Sequence, residues 1–373
     1  MRVLVCPDKF AGSLSAVAAA QAIADGWRTA APDDQVDIRP MSDGGPGFVA
    51  VLAETTGGRR VPVPTTDPLG RPTTGEILLV GDAAYVESAD ACGLHLLDPV
   101  ERDPKWTTSY GLGALVAATV ERGCRTVVIG LGGSATNDCG AGALAALGVT
   151  ALDTAGYPLP HGGAALGACD RLDGAPRIRD VALVAATDVD NPLTGPHGAS
   201  AVYGPQKGAT EDDVVLLDAA LAHFAEILVR DLPGCPPDLA QLPGAGAAGG
   251  LGAAVLALGG RCESGIGLVR WLAGLDRALD EADLVITGEG SFDDQSLRGK
   301  VVAGVAAAAR DQGLPCLVLA GQVSADRHKA AAAGVVRAYS LVEHFESAER
   351  AMAEAGPGLR QLAAGLAAGW ARA

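Results

Sequence analysis

Short apolar runs that alternate with glycine-rich polar loops and alanine-rich helical stretches constrain this chain more than any other feature. The runs are hydrophobic at successive positions, which is typical of strands covered on both faces of a parallel sheet. A helical stretch follows most of them, and this alternation predicts an α/β fold. The predicted strands are residues 3–6, 126–130, 181–187, 284–287 and 314–319, and the predicted helices are residues 15–30, 141–147, 212–229, 301–310 and 325–333.

The length of 373 residues favours two domains over one. A stretch rich in proline and threonine, residues 59–88, interrupts the alternation and contains short strands predicted at 76–80 and 84–87. We interpret this stretch as the point where the chain crosses into a second lobe.

Composition excludes several classes of protein. The chain has 28 basic and 44 acidic residues, a net charge of −16, and its lysines and arginines form no cluster. A protein that binds nucleic acid needs a basic surface to neutralise phosphates, so a nucleic-acid partner is not expected. The negative field also repels small anions, and an anionic ligand would need a few local cations or a metal ion to hold it.

The eight cysteines contain no C-x-x-C pair, which argues against zinc ribbons and thioredoxin-type redox sites. We expect most of them to be small buried hydrophobic residues. The apolar start at residues 3–6 is too short for a signal peptide, and no apolar run approaches the ~18 residues of a membrane span. These features predict a cytoplasmic protein without a membrane partner; they do not determine the oligomeric state.

Five loops carry most of the polar residues that could perform chemistry, and ligands of open parallel sheets bind beyond the carboxyl ends of the strands. The loop PDKFAGS (7–13) enters a helix, whose N-terminus and Lys9 suit an anion, although a tight turn with a surface lysine explains it equally. The loop SDGGPG (42–47) lets the backbone approach a ligand beside Asp43, or forms an ordinary Asp-Gly turn.

The third loop is GLGGSATNDCGAG (130–142), which follows a predicted strand. It resembles the dinucleotide pattern G-x-G-x-x-A in the right context. However, Ser134, Thr136, Asn137 and Asp138 crowd the turn with hydroxyl, amide and carboxylate groups. Those groups favour a polyhydroxy substrate or a phosphate over a dinucleotide.

The last two loops combine carboxylates with lysine. TDVDNP (187–192) precedes GPQKG (204–208), and its oxygens suit Mg²⁺, although Asp-Asn-Pro also forms ordinary turns. GEGSFDDQS (288–296), followed by Gly299 and Lys300, places acids at a predicted strand-to-helix junction. Helix capping by one of the two aspartates in this loop is the alternative.

Together these loops supply backbone anion cradles, local cations and acids able to hold Mg²⁺. Phosphoryl transfer requires positioning, charge neutralisation and a base for the attacking hydroxyl, so the residues favour an ATP-dependent kinase of a small molecule. The identity of the small molecule stays open between sugars and hydroxy acids. Two alternatives to a kinase also stay open: an NAD-dependent dehydrogenase, which is supported by the 130–142 loop alone, and a non-catalytic sensor that binds a hydroxy acid.

At the same loops the chain resembles the type I glycerate kinase family. Two positions depart from the family pattern: Ala11 stands where the family usually has Lys, and Pro46 where it usually has Glu. Lys9 would have to replace the missing lysine, and position 46 cannot supply a catalytic carboxylate. The matching blocks occur in family order along nearly the whole chain and are PDKF (7–10) with GSLS (12–15), SDGGPG (42–47), GGSATND (132–138), DVDNPL (188–193), GPQKGA (204–209), residues 244–252, and ITGEGS (286–291) with Gly299 and Lys300.

The resemblance implies phosphoryl transfer from ATP to D-glycerate with Mg²⁺, and 2-phospho-D-glycerate is the usual type I product. It also implies two α/β lobes with the active site in the cleft between them. Residues 1–65 and 290–373 would form a Rossmann-like parallel-sheet lobe, and residues 66–289 an inserted α/β lobe.

The resemblance also suggests roles for individual residues. Asp188 is the candidate base or a metal ligand, with Asp190 as the alternate, and Asp43 and Glu289 are candidate Mg²⁺ ligands. Lys9 is the second catalytic candidate. Together with Lys207 and Lys300, it would neutralise the charge of the phosphoryl group that is transferred. The candidates for binding substrate or phosphate are Gly44, Gly45, Ser134, Thr136, Asn137, Asp190, Asn191, Lys207 and Lys300.

Overall fold

The computed structural model describes residues 1–178, 180–297 and 300–370, and it has the predicted α/β fold with parallel sheets. The strands are β1 (Arg2–Val5), β2 (Gln35–Ile38), β3 (Arg59–Thr66), β4 (Pro72–Val80), β5 (Ala83–Glu87), β6 (Thr126–Gly130), β7 (Val149–Leu152), β8 (Arg171–Gly174), β9 (Ala182–Ala186), β10 (Arg261–Glu263), β11 (Leu284–Phe292), β12 (Cys316–Val323) and β13 (Val335–Ser340). The helices are α1 (Ala16–Ala30), α2 (Phe48–Thr56), α3 (Ala89–Cys92), α4 (Tyr110–Glu121), α5 (Ala141–Ala146), α6 (Ala199–Tyr203), α7 (Glu211–Asp231), α8 (Ala247–Ala257), α9 (Gly265–Leu272), α10 (Leu275–Asp280), α11 (Val301–Asp311), α12 (Arg327–Ala332), α13 (Leu341–Phe345), α14 (Ala348–Ala353) and α15 (Ala355–Trp370).

The chain divides into two compact units. Unit 1 comprises Met1–Asp43, Ala50–Thr56 and Ile266–Ala373, and unit 2 comprises Gly44–Val49 and Gly57–Gly265. The boundaries that the resemblance implies, at 65/66 and 289/290, fall inside β3 and β11, because the pairing of both strands continues past these positions.

Unit 1 is built on a parallel sheet of five strands in the order β13-β12-β11-β1-β2. In β1, Val3, Leu4 and Val5 are all buried, as expected for a strand covered on both faces. Helix α1 packs against α15, and its Trp27 is fully buried in the same hydrophobic core as Val3 and Leu284. Ser15 caps α1 by accepting a hydrogen bond from the Ala18 N–H at 3.1 Å.

Unit 2 contains a mixed sheet of six strands in the order β10-β9-β6-β5-β4-β3. Strands β5, β6, β9 and β10 pair in parallel, whereas β3, β4 and β5 pair antiparallel. The antiparallel part is the stretch rich in proline and threonine. Its Pro62 and Pro64 lie on β3, the edge strand, where a missing N–H is tolerated. Two further strands, β7 and β8, form a separate antiparallel pair.

All eight cysteines are free thiols, and six of them are buried, as predicted for small hydrophobic residues; the other two, Cys235 and Cys262, are partly exposed. Within the described residues, no helix combines the length and the apolar character that a membrane crossing requires.

Candidate active site

The first group of site residues lies in unit 1, where β1 and β11 run side by side and end at the same edge of the sheet. The Asp8 N–H donates to the Gly288 carbonyl at 2.8 Å, and the Thr287 hydroxyl donates to the Cys6 carbonyl at 2.8 Å. A Cβ atom at Gly290 would lie 2.9 Å from the Ala11 nitrogen, so glycine permits this close approach. The loop after β1 is therefore held against the second half of β11.

Residues 288–292 were expected to form a loop, but they extend β11. They pair with β12 as far as Phe292, opposite Val323. Glu289 consequently projects from a strand of the sheet. Asp293 accepts hydrogen bonds from the N–H groups of Gln295 and Ser296 and shapes the turn that follows.

The acidic cluster of unit 1, which we define as Asp8, Lys9, Asp43, Glu289 and Lys300, contains two carboxyl groups with strongly altered acidity. Burial raises the pKa of Asp8 to about 6; Lys9 and Lys300 oppose the shift and Asp43 adds to it. Burial likewise raises the pKa of Glu289 to about 7, with the Asp8 charge adding to the shift. Two carboxyl groups whose ionised forms are disfavoured by burial lie in a place that favours added positive charge.

The acidic cluster suits a divalent cation that takes only one or two of its ligands from the protein. The Glu289 Oε1 atom is buried without a hydrogen-bond partner among the described residues, and Lys9 Nζ lies 3.7 Å from Asp43 Oδ1. No group of three or more metal-ligating side chains is assembled in the described ranges. Mg²⁺ is commonly held by one or two carboxylates while phosphates and water complete its shell, and the cluster suits that arrangement.

The second group of site residues lies in unit 2, at the carboxyl ends of β5, β6 and β9. A glycine loop, residues 44–47, covers these ends. Both carboxylate oxygens of Glu87 accept hydrogen bonds from the Gly47 N–H at 2.9 Å. A Cβ atom at Gly132 would lie 2.6 Å from the Gly45 Cα, so the backbones of the glycine loop and of the chain after β6 touch.

Gly44→Ala tests this close packing. Gly44 has φ of +91°, and an added Cβ would lie 2.5 Å from the Ala186 carbonyl oxygen. We expect a loss of about 2–4 kcal/mol in the free energy of unfolding, because strain and steric overlap add. Gly47→Ala is the matched control, since its φ is +97° but the added atom meets nothing within 4 Å. Its cost should be only about 1–2 kcal/mol. Equal losses in urea unfolding would contradict the packing argument.

The loop after β6, residues 132–142, is predicted to bind substrate and is called the substrate loop below; its residues 134–140 are buried in unit 2. The side chains of Thr136 and Asn137 are fully buried, and Thr136 Oγ1 and Asn137 Oδ1 lack partners among the described residues. The Asn137 amide donates to Ser200 Oγ at 2.9 Å. Buried polar atoms without partners are costly, so these two atoms are candidates for contact with a ligand. Ser134, also predicted here, is buried as well.

Asp138 anchors the substrate loop. It accepts hydrogen bonds from the Ser109 N–H and hydroxyl, both at 2.8 Å, and from the N–H groups of Gly140 and Gly142. Burial raises the pKa of Asp138, and these hydrogen bonds oppose the shift. The residue therefore has a structural role.

Lys207, predicted to neutralise the transferring group, is 2% exposed. Its Nζ donates to the main-chain carbonyl of Thr136 at 2.7 Å. The side chain thus reaches the substrate loop from inside the unit.

The loop after β9 contains the predicted base. Asp188 is exposed, and its Oδ1 accepts a hydrogen bond from the Ser264 hydroxyl at 2.6 Å. Asp190 is also exposed. The Asn191 side chain instead supports its own surroundings, because its amide donates to the His197 carbonyl and its Oδ1 accepts from the Tyr203 hydroxyl, both at 2.8 Å.

The structure thus brings the predicted residues together in two groups, one in each unit. Gly299, which belongs to one of the matched sequence blocks, lies outside the described residues. The sequence reasoning missed Asp8 and Glu87 as important side chains, and it counted Asp138 among the groups that favour a ligand, whereas Asp138 accepts hydrogen bonds from within its own unit. Asp8 and Glu87 had a signal that could have been used, since each is an acid at the end of a buried apolar strand.

Two α/β units with acidic, lysine-bearing and glycine-rich loops at their strand ends define an enzyme that handles a small polar ligand, with groups suited to phosphate. The sequence matches the model of the glycerate kinase family over residues 3–371. The chain therefore belongs to the glycerate kinase family and is a kinase.

Individual glycerate kinases match this chain over most of its length. A glycerate kinase of Halalkalibacterium halodurans is 40% identical over 371 residues, covering 98% of this chain and 97% of the relative. A glycerate 2-kinase of Escherichia coli K12 is 42% identical over 332 residues, covering 87% of this chain and 86% of the relative. A crystal structure from Salmonella typhimurium LT2, provisionally named glycerate kinase 2, superimposes with a TM-score of 0.83 at 38% identity and covers 100% of this chain and 98% of its own.

Proposed function

We propose that the protein transfers the terminal phosphoryl group of ATP to D-glycerate, with Mg²⁺, and forms 2-phospho-D-glycerate. Relatives named glycerate kinase support the acceptor, and the relative named glycerate 2-kinase favours the 2-position. The single observation that carries the proposal is the acidic cluster, in which two partly buried carboxyl groups with raised pKa lie beside Lys9 and Lys300.

In this proposal unit 1 receives the phosphates of the nucleotide. Asp43 and Glu289, with Asp8, would hold Mg²⁺, which when bound supplies positive charge to the phosphate oxygens. Lys9 and Lys300 would add neutralising charge and replace part of the hydration of the phosphates. The net charge of −16 makes such local cations necessary.

Unit 2 would bind the hydroxy acid. Thr136 Oγ1 and Asn137 Oδ1, buried without partners among the described residues, would bind its oxygens, together with Ser134. Gly44 and Gly45 would let the backbone approach the ligand closely, and Asp190 and Asn191 would line the neighbouring strand end. Asp188 would accept the proton of the glycerate hydroxyl as its oxygen bonds to the γ-phosphorus and the bond between that phosphorus and the ADP oxygen breaks.

The test uses the purified full-length chain with D-glycerate and MgATP. We expect ADP release that depends on both D-glycerate and Mg²⁺, and ³¹P NMR of the product should show the phosphate coupled to the single proton on C2. A product coupled to the two protons on C3 would overturn the 2-position only. ADP release with another hydroxy acid or a sugar, but not with D-glycerate, would overturn the acceptor. No release with any acceptor would favour a non-catalytic binding protein.

A further inference from the structure

Lys207 is a lysine whose side chain is almost completely buried in unit 2. A direct contact with phosphate does not explain this burial. In the described part of the chain, the Thr136 carbonyl is the acceptor that its ammonium group meets, at 2.7 Å. An ammonium group carries three donors and is strongly hydrated in water. Enclosing it at 2% exposure is costly, and an apolar side chain of similar length would fill the space without that cost.

The acceptor that Lys207 reaches is a particular peptide group. The Thr136 carbonyl belongs to the peptide bond that joins Thr136 to Asn137, the two residues whose Oγ1 and Oδ1 atoms are buried with no partner in the described part of the chain. A hydrogen bond to this carbonyl restrains the plane of the peptide, which contains the Cα atoms of both residues, and so restrains where the two side chains begin.

Other contacts hold the same segment from different sides. Asn137 donates to Ser200 on α6, and Gly249 of α8 lies so close to the Thr136 carbonyl that a Cβ atom there would overlap with it. Only Lys207 among these contacts brings a charge. A charge-assisted hydrogen bond is stronger than a neutral one, so Lys207 is the contact best suited to hold this peptide.

We propose that Lys207 is a positioning residue for substrate binding, which holds the peptide between Thr136 and Asn137 so that both side chains meet the hydroxy acid. This inference rests on the proposed function, in which these two side chains bind glycerate.

The charge on Lys207 changes near neutral pH. Burial lowers its pKa to about 7, while the charge of Asp138, in the substrate loop, opposes the shift. The thiol of Cys92, at the end of α3, is the other titratable group beside it, and burial raises its pKa so that it is uncharged near pH 7. Below this pH the ammonium form holds the Thr136 carbonyl, and above it a neutral amine donates a weaker hydrogen bond. The KM for glycerate should therefore rise as the pH increases through about 7.

Two variants test the proposal by steady-state kinetics at pH 6, 7 and 8. Lys207→Met should raise the KM for glycerate about 10-fold or more at pH 6 and leave the KM for MgATP within about twofold. Lys207→Arg keeps a permanent positive charge, so its KM for glycerate should be lower than that of the methionine variant and should not rise through pH 7. Lys105→Met is the matched control, because Lys105 is a lysine of the same unit that pairs with Asp213 at the surface.

The outcomes separate the two proposals. A wild-type enzyme without ADP release on D-glycerate overturns the proposed function, and this inference with it. An active wild type whose KM for glycerate Lys207→Met leaves unchanged at all three pH values overturns the role of Lys207 alone. So does a variant in which both KM values and kcat change together with a lower thermal midpoint, because that pattern indicates a general structural role. If the methionine variant fails to fold, the pH profile of Lys207→Arg decides.

Discussion

Asp188→Asn is expected to lower kcat about 100-fold or more with D-glycerate and MgATP, because an amide cannot accept the proton of the attacking hydroxyl. Asparagine has the size of aspartate, and its Oδ1 can still accept the hydrogen bond that Ser264 donates at 2.6 Å. The loss should therefore fall on kcat more than on KM, and steady-state kinetics at saturating substrates measures it.

Asp190→Asn is the comparison that makes this result specific. Asp190 lies two residues away in the same loop and is also exposed, so the same chemical change is made in a similar environment. We expect a smaller loss in kcat for Asp190→Asn. A folded Asp188→Asn enzyme with near-normal kcat would remove Asp188 as the base, and a larger loss in Asp190→Asn would transfer the role to Asp190.

Glu289→Gln is expected to have two opposite effects, a loss of activity and a gain in stability. If Glu289 holds Mg²⁺, the neutral amide should lower kcat/KM for MgATP about 100-fold, and higher Mg²⁺ concentrations should restore part of it. The same change removes a carboxylate whose charged form is disfavoured by burial. The free energy of unfolding above pH 7 should therefore increase by on the order of 1–3 kcal/mol.

The sign of the pH dependence follows from proton binding. The pKa of Glu289 is about 7 in the folded protein against an ordinary value of 4.5, so the folded state holds the additional proton between these pH values. The contribution of Glu289 to stability therefore falls as the pH rises from about 4.5 to 7, and the penalty is complete above pH 7. Asp8, with a pKa of about 6, adds a penalty of the same sign at slightly lower pH.

Urea unfolding between pH 4 and 9 measures this dependence. The curves of wild type and Glu289→Gln should converge near pH 4 and separate towards pH 8, and Mg²⁺ should stabilise the wild type more than the variant. Glu349→Gln is the control, since Glu349 is exposed on α14, and it should leave the profile unchanged. Parallel curves for wild type and Glu289→Gln over the whole range would show that Glu289 carries no such penalty.

Local sequence patterns predicted the elements well where local forces dominate. The run at 126–130 coincides with β6, and the helix expected at 301–310 is α11, which ends one residue later. The end of β11 could not be predicted in this way. Gly288 and Gly290 are turn signals in isolation, but pairing with β12 keeps the backbone extended through Phe292. Sheet pairing over long sequence distances thus overrides the local preference.

The same distinction between local sequence pattern and tertiary structure applies to the candidate site. Glycine patterns and polar residues after apolar strands selected the candidate loops, because ligand-binding groups gather at the carboxyl ends of parallel strands. Which side chain in each loop contacts a ligand was not available from the pattern. Asn191 and Lys207 were both predicted to bind substrate or phosphate. In the structure, the Asn191 side chain forms hydrogen bonds with His197 and Tyr203. Lys207 is buried and donates a hydrogen bond to the Thr136 carbonyl.

The order of residues alone determined the α/β class and the family and selected the candidate loops, since these depend on periodicity and on short motifs. Only the tertiary structure decided which carboxyl groups are buried enough to have a raised pKa, and which polar atoms of the substrate loop lack partners among the described residues. The physical reason is that acidity and hydrogen-bond satisfaction depend on the groups that surround an atom in space. For Asp8 and Glu289, those groups come from chain segments nearly 300 residues apart.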